Sequence, residues 1–111
     1  MNERMKECCT CCRDCQTMCL ETMDMCLKKG GKLADPKLNL MLAECAQLCQ
    51  MMVDMAAVDS DRCMATAESC AKHCADCAVA CDAMPGSALK ECAAALRKCA
   101  TACRETAAVA A

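Results

Sequence analysis

Seventeen of the 111 residues are cysteine, and their order along the chain is that of a helix face. Cys8, Cys12, Cys15, Cys19 and Cys26 succeed one another at steps of four, three, four and seven. At about 100° per residue, all five fall within about 40° of one line along a helix. Cys63, Cys70, Cys74, Cys77 and Cys81 do the same, as do Cys92, Cys99 and Cys103. Cys45 and Cys49 belong to a further stripe with Leu38, Met41, Leu48, Met52 and Ala56. Such a stripe ordinarily carries Leu or Ile toward a core. Here it carries thiols, which predicts a sulfur-lined interior. Cys11, about 60° from the line, is expected to join it, whereas Cys9, about 100° away, is expected at the periphery.

Six CxxxC pairs stand out: Cys8/Cys12, Cys15/Cys19, Cys45/Cys49, Cys70/Cys74, Cys77/Cys81 and Cys99/Cys103, with Cys11/Cys15 a seventh. Residues four apart on a helix have Cβ atoms roughly 5–6 Å apart, too far for the roughly 3.5–4.5 Å of a disulfide. Two such sulfurs can instead grip one ion. With bonds of about 2.3 Å, as for Zn–S, a linear S–metal–S unit spans roughly 4–5 Å. Soft thiolates in two-coordination select Cu(I). Zinc asks for four ligands, usually from CxxC knuckles on turns; the CxxC spacings here (Cys8/Cys11, Cys9/Cys12, Cys12/Cys15, Cys74/Cys77) lie inside helical patterns. Charge points the same way. Buried thiolates without cations are prohibitive, and one monovalent ion per bridging thiolate neutralises the cavity.

The elements that must position these thiols follow from the punctuation. Lys28-Lys29-Gly30-Gly31 is a helix stop. Asp35-Pro36 restarts a helix, with Asp35 as cap and Pro36 at its first position. Asp59-Ser60-Asp61 is a second cap cluster, and Met84-Pro85-Gly86-Ser87 a third break, with Ser87 as cap. The predicted fold is all-α: one domain over residues 1–111, an antiparallel up-down-up-down four-helix bundle with helices near 3–29, 36–57, 60–84 and 87–107. Leu and Val together number only 13, and Ile and Phe are absent. So thin an apolar core calls for another source of folding free energy, and metal binding supplies one.

The remaining composition narrows the function. The net charge is -2 and there is no aromatic residue, which argues against nucleic-acid binding. No apolar run reaches the 18 or more residues of a membrane span. The charged stretch Met1–Glu7 lacks the apolar region of a secretory signal, so a cytoplasmic protein with reduced thiols is expected. With one histidine and many equivalent cysteines, no nucleophile–base pair emerges and no enzymatic activity is expected.

A short, aromatic-free chain with CxxxC pairs on several helices resembles the bacterial copper storage proteins, in particular their cytosolic branch. The resemblance covers nearly the whole chain. It implies a four-helix bundle storing many Cu(I) ions on its inward cysteines, commonly as a homotetramer, with copper donor or acceptor proteins as partners. It also implies entry at an open bundle end bearing His or Met. The lone His73 lies about 80° off the cysteine stripe and is expected at an exposed or interface position. Met41, Met52, Met64 and Met84 read first as core filler and second as thioether entry ligands. Met41 and Met84 should lie near Cys26, Cys81 and Cys92, and Met52 and Met64 near Cys8 and Cys63. Two other readings stay open: a metallothionein-like buffer of zinc or cadmium, and a disulfide-stapled helical redox or structural protein.

Overall fold

Helix α1, Glu3–Lys29, begins where the Asn2 side chain accepts a hydrogen bond from the Met5 N–H at 2.8 Å. It ends where Gly30, at φ 73°, donates its N–H to the Cys26 carbonyl; that left-handed backbone is accessible to glycine at little cost. A 3-10 turn over Gly31–Ala34, unforeseen from the sequence, leads to α2, Pro36–Ala57. There Asp35 accepts from the Leu38 N–H at 2.9 Å and Pro36 opens the helix. The coordinates, a computed structural model, describe residues 1–110 and the side chains of residues 1–108.

Helix α3 spans Cys63–Asp82, shorter at both ends than the stretch 60–84 read from sequence. Asp59 takes a positive φ of 52° and Ser60 Oγ accepts from the Arg62 N–H. Ser60 and Asp61 therefore form a turn ahead of the helix, a local hydrogen bond competing with helix geometry. At the far end Met84 donates back to the Cys81 carbonyl, three residues away, a tightening that leads into Pro85 and ends the helix. Helix α4 spans Ser87–Ala110, beyond the expected 107, and Ser87 is its first residue rather than a cap in front of it.

Each helix packs on two neighbours, α1 on α2 and α4, and α3 on α2 and α4. The result is a four-helix, up-down-up-down bundle measuring 42 × 19 × 19 Å, close to the length of α1 at about 1.5 Å per residue. Its interior is the cysteine column with small Ala residues between the helices and Leu38, Leu42, Leu89 and Leu96 as the largest aliphatic side chains. The inward line of α2 runs through Leu38, Leu42, Cys45, Cys49, Met52 and Ala56. Met41 and Leu48, expected inward, are only half-buried. The line is shifted about one position because α2 must face α1 and α3 at once.

Candidate metal centre

Every cysteine except Cys11 is buried. The exceptions to expectation lie on α1. Cys9 is 2% exposed, buried where the periphery was predicted, because α1 packs on two helices and covers more than its cysteine line. Cys9 stands one turn after Met5, which lines a cavity with Met55 and Ala56 of α2. Cys11 turns toward the α4 side, near Lys98 and Cys99, and stays half-buried.

The sulfurs meet across helices more often than along them. Between helices, Cys8–Cys103 is 3.7 Å, Cys12–Cys99 and Cys12–Cys103 are 3.8 Å, Cys49–Cys99 is 3.8 Å and Cys49–Cys70 is 3.9 Å. Within helices, only Cys15–Cys19 at 3.9 Å and Cys70–Cys74 at 3.8 Å show hydrogen-bond geometry. Three groups have all their sulfurs within 4.8 Å of one another: Cys12/Cys49/Cys70/Cys99, Cys15/Cys49/Cys74/Cys99 and Cys8/Cys12/Cys103. The first two draw one sulfur from each helix. An ion with bonds of about 2.3 Å spans about 4.0 Å between sulfurs when trigonal and about 4.6 Å when linear. The thiols therefore need to move by less than an ångström to close on either.

These contacts polarise the thiols in alternation. Hydrogen bonds from Cys103 and Cys12 hold Cys8 down to about 3. Those from Cys19 and Cys81 hold Cys92 at about 4, and Cys103 and Cys12 bring Cys99 to about 7. Their donors pay the opposite way: Cys103 is pushed up, first by its bond to Cys12, and Cys19 by its bond to Cys15. A donor thiol keeps its proton so that its neighbour can lose one. Cys9, Cys26 and Cys63 are raised chiefly by burial.

Buried threonines were not picked out from the sequence. Thr106 is 4% exposed and donates to the Ala102 carbonyl at 2.9 Å, Thr22 is also 4% exposed, and these hydroxyls add to the lowering of Cys8 and Cys92 respectively. Thr66 donates to Met55 Sδ at 3.1 Å. Thr66 and Thr106 each follow a stripe cysteine by three residues, a spacing that marks the same helix face.

Met52 is fully buried, and Met41, Met64 and Met84 are half-buried beside the core. Met64 joins Met1, Met5, Met55 and Cys63 around a cavity of about 310 Å³. His73 is half-buried between α3 and α2. Its Nε2 lies 3.2 Å from Glu44 Oε1 without hydrogen-bond geometry, and its carbonyl accepts from Cys45 Sγ at 3.7 Å. No helix among the described residues is long and apolar enough to cross a membrane.

Residues 1–108 match the family described as copper storage protein. Solved structures are similar as well, three of them as follows. A protein from Nitrosospira multiformis is 29% identical, with a TM-score of 0.91 over 98% of this chain and 99% of its own. The Cu(I)-bound copper storage protein BsCsp3 is 26% identical, TM-score 0.90, over 95% of this chain and 99% of its own. Apo-Csp3 from Bacillus subtilis is 27% identical, TM-score 0.82, over 92% of this chain and 97% of its own. No curated protein matches the chain.

Proposed function

This chain belongs to the copper storage protein family, and from that premise we propose that it stores many Cu(I) ions on its core thiolates. The observation that carries this reading is the column of 16 buried cysteines with sulfurs from all four helices within reach of one another. The ligands are Cys8, Cys9, Cys12, Cys15, Cys19, Cys26, Cys45, Cys49, Cys63, Cys70, Cys74, Cys77, Cys81, Cys92, Cys99 and Cys103, with Cys11 at the edge. CxxxC partners share ions both along their own helix and with the facing one. Each incoming Cu(I) displaces thiol protons to solvent and is neutralised by the thiolate it meets. The role is storage rather than catalysis, since ligation employs the thiols that a nucleophile would need free.

Copper enters, on this reading, at the Cys63 end. The Met-lined cavity there offers neutral soft ligands next to Cys63, with Cys9 and Cys8 deeper in. Met52 lies further inside as a packing residue, and Met41 and Met84 at the other end have the same filling role. The family resemblance extends the reading to a cytoplasmic homotetramer that exchanges copper with donor and acceptor proteins. Exposed Leu20, Leu27 and Leu40 are apolar residues that such association would cover.

The test is an anaerobic Cu(I) titration of the fully reduced protein in competition with a chromophoric Cu(I) chelator. Tight uptake approaching one ion per cysteine is expected. Saturation at a few ions overturns the reading.

A further inference from the structure

We propose that the middle of the core also forms a tetrathiolate site for a single divalent ion of the zinc class, built by Cys12, Cys49, Cys70 and Cys99. The inference does not rest on copper storage. It rests on sulfur geometry that sequence spacing, with its helix-bound CxxxC pairs, does not reveal.

Each of the four helices contributes one of these sulfurs, and all four residues are 0% exposed. All six sulfur separations are within 4.8 Å. Three of these are direct thiol contacts: Cys12–Cys99 at 3.8 Å, Cys49–Cys99 at 3.8 Å and Cys49–Cys70 at 3.9 Å. A tetrahedral ion with bonds of about 2.3 Å has a sulfur–sulfur edge of about 3.8 Å, whereas a linear ion requires about 4.6 Å. Three of the six edges thus already have the length a tetrahedral ion requires and the other three lie within 4.8 Å, and four sulfurs in a tetrahedron favour zinc-type ions.

Four thiolates around a divalent ion leave two negative charges in the core. Neighbouring thiols outside the set are placed to offset them: Cys103 lies 3.8 Å from Cys12 and Cys74 lies 3.8 Å from Cys70. Each can keep its proton and donate S–H to a ligating sulfur, the usual outer support of such sites. The stoichiometry follows from shared ligands. The group Cys15/Cys49/Cys74/Cys99 reuses Cys49 and Cys99, and Cys8/Cys12/Cys103 reuses Cys12. Filling the central tetrahedron leaves neither neighbouring group complete, so one ion per chain results, whereas filling the two neighbouring groups, which share no residue, would bind two. Copper loading draws on the same sulfurs, so the two cargoes exclude each other.

The experiment uses Co(II) as the probe, added anaerobically to the reduced, metal-free full chain. The expected result is the intense visible ligand-field absorption of tetrahedral thiolate cobalt, with thiolate-to-metal charge transfer in the near ultraviolet. It saturates at one ion per chain and is bleached by Zn(II). Cys49→Ser, Cys99→Ser and Cys70→Ser lose this spectrum and Cys26→Ser keeps it, with circular dichroism confirming the helices of each variant. If a variant fails to fold, the coordination and stoichiometry of the unsubstituted protein decide. An octahedral spectrum, saturation at several ions, or an undiminished spectrum in Cys70→Ser overturns the proposal. Cu(I) capacity is read separately on the same preparation. Uptake near one Cu(I) per cysteine with no tetrahedral cobalt overturns this inference and leaves copper storage standing; the reverse result does the opposite.

Discussion

At the end where α1 passes into α2, Cys26, Cys81 and Cys92 share the core with Leu38, Leu42 and Leu89; at the other end, Cys8, Cys9 and Cys63 share it with Met52, Thr66 and Thr106. The first end is tied shut as well. Buried Asn39 donates at 2.9 Å to the carbonyls of Leu33 and Asp35, fastening the 3-10 turn to α2. The second opens into the cavity lined by Met1, Met5, Met55, Met64 and Cys63. Thioethers and a buried hydroxyl stand at the first end too, on Met41, Met84 and Thr22, so the difference between the ends is the leucine packing at one and the Met-lined cavity at the other. The same thiol column is therefore plugged at one end and serviceable at the other. Its hydrogen-bonded sulfur contacts gather toward the serviceable half, from Cys8–Cys103 to Cys70–Cys74.

Copper itself should produce the largest effect, because it draws on both ends. With free Cu(I) about 1,000 times its Kd, each site adds about 4 kcal/mol to folding, which raises Tm by about 15 °C or more in a chain of this size. Calorimetry on apo and loaded protein measures it, and equal melting temperatures would remove the metal from the stability argument.

The plug comes next. Leu42→Ala should cost the apo protein about 2–5 kcal/mol in denaturant unfolding while leaving the stopped-flow rate of Cu(I) uptake unchanged. Faster uptake in that variant would show copper passing the leucine end and would erase the distinction between the two. Asn39→Ala removes two hydrogen bonds from the same closure and should cost about 1–2 kcal/mol.

At the mouth the effect is kinetic. Met5→Leu with Met64→Leu keeps side-chain volume, so stability should change by less than about 1.5 kcal/mol. Uptake should slow severalfold with total capacity intact. An unaltered rate would return both methionines to the status of filler.

The smallest effect is on pH dependence, and it tests what the ends have in common. Burial lifts Cys9, Cys26 and Cys63 above 9.0, so the folded chain retains protons that the unfolded chain begins to lose near that pH. Their contribution to stability is whole below the unfolded value and is lost as pH rises through the folded ones. The Tm of apo protein should fall between about pH 8 and about pH 10; a rising Tm would mean that these thiols ionise in place.

Much of this was legible along the chain. Gly30, Asp35 and Pro36 act locally, through hydrogen bonds and backbone angles within a few residues, and α1 ends and α2 begins where that chemistry places them. Where the local chemistry was ambiguous, reading was poorer. Ser60 caps a turn instead of α3, and Leu42 rather than Met41 faces inward, because two packing partners rather than one decide the centre of a helix face. Cys9 and Cys11 exchanged places for the same reason.

By itself the sequence determined that four helices form and that each turns thiols toward a shared interior, because a period of about 3.6 residues is a local property. Only the tertiary structure decided which sulfurs meet and which end is plugged. Sliding one helix by a turn, about 5.4 Å, leaves every stripe intact and re-pairs every sulfur in it. The register that brings Cys12, Cys49, Cys70 and Cys99 together is set by packing between helices far apart in the chain.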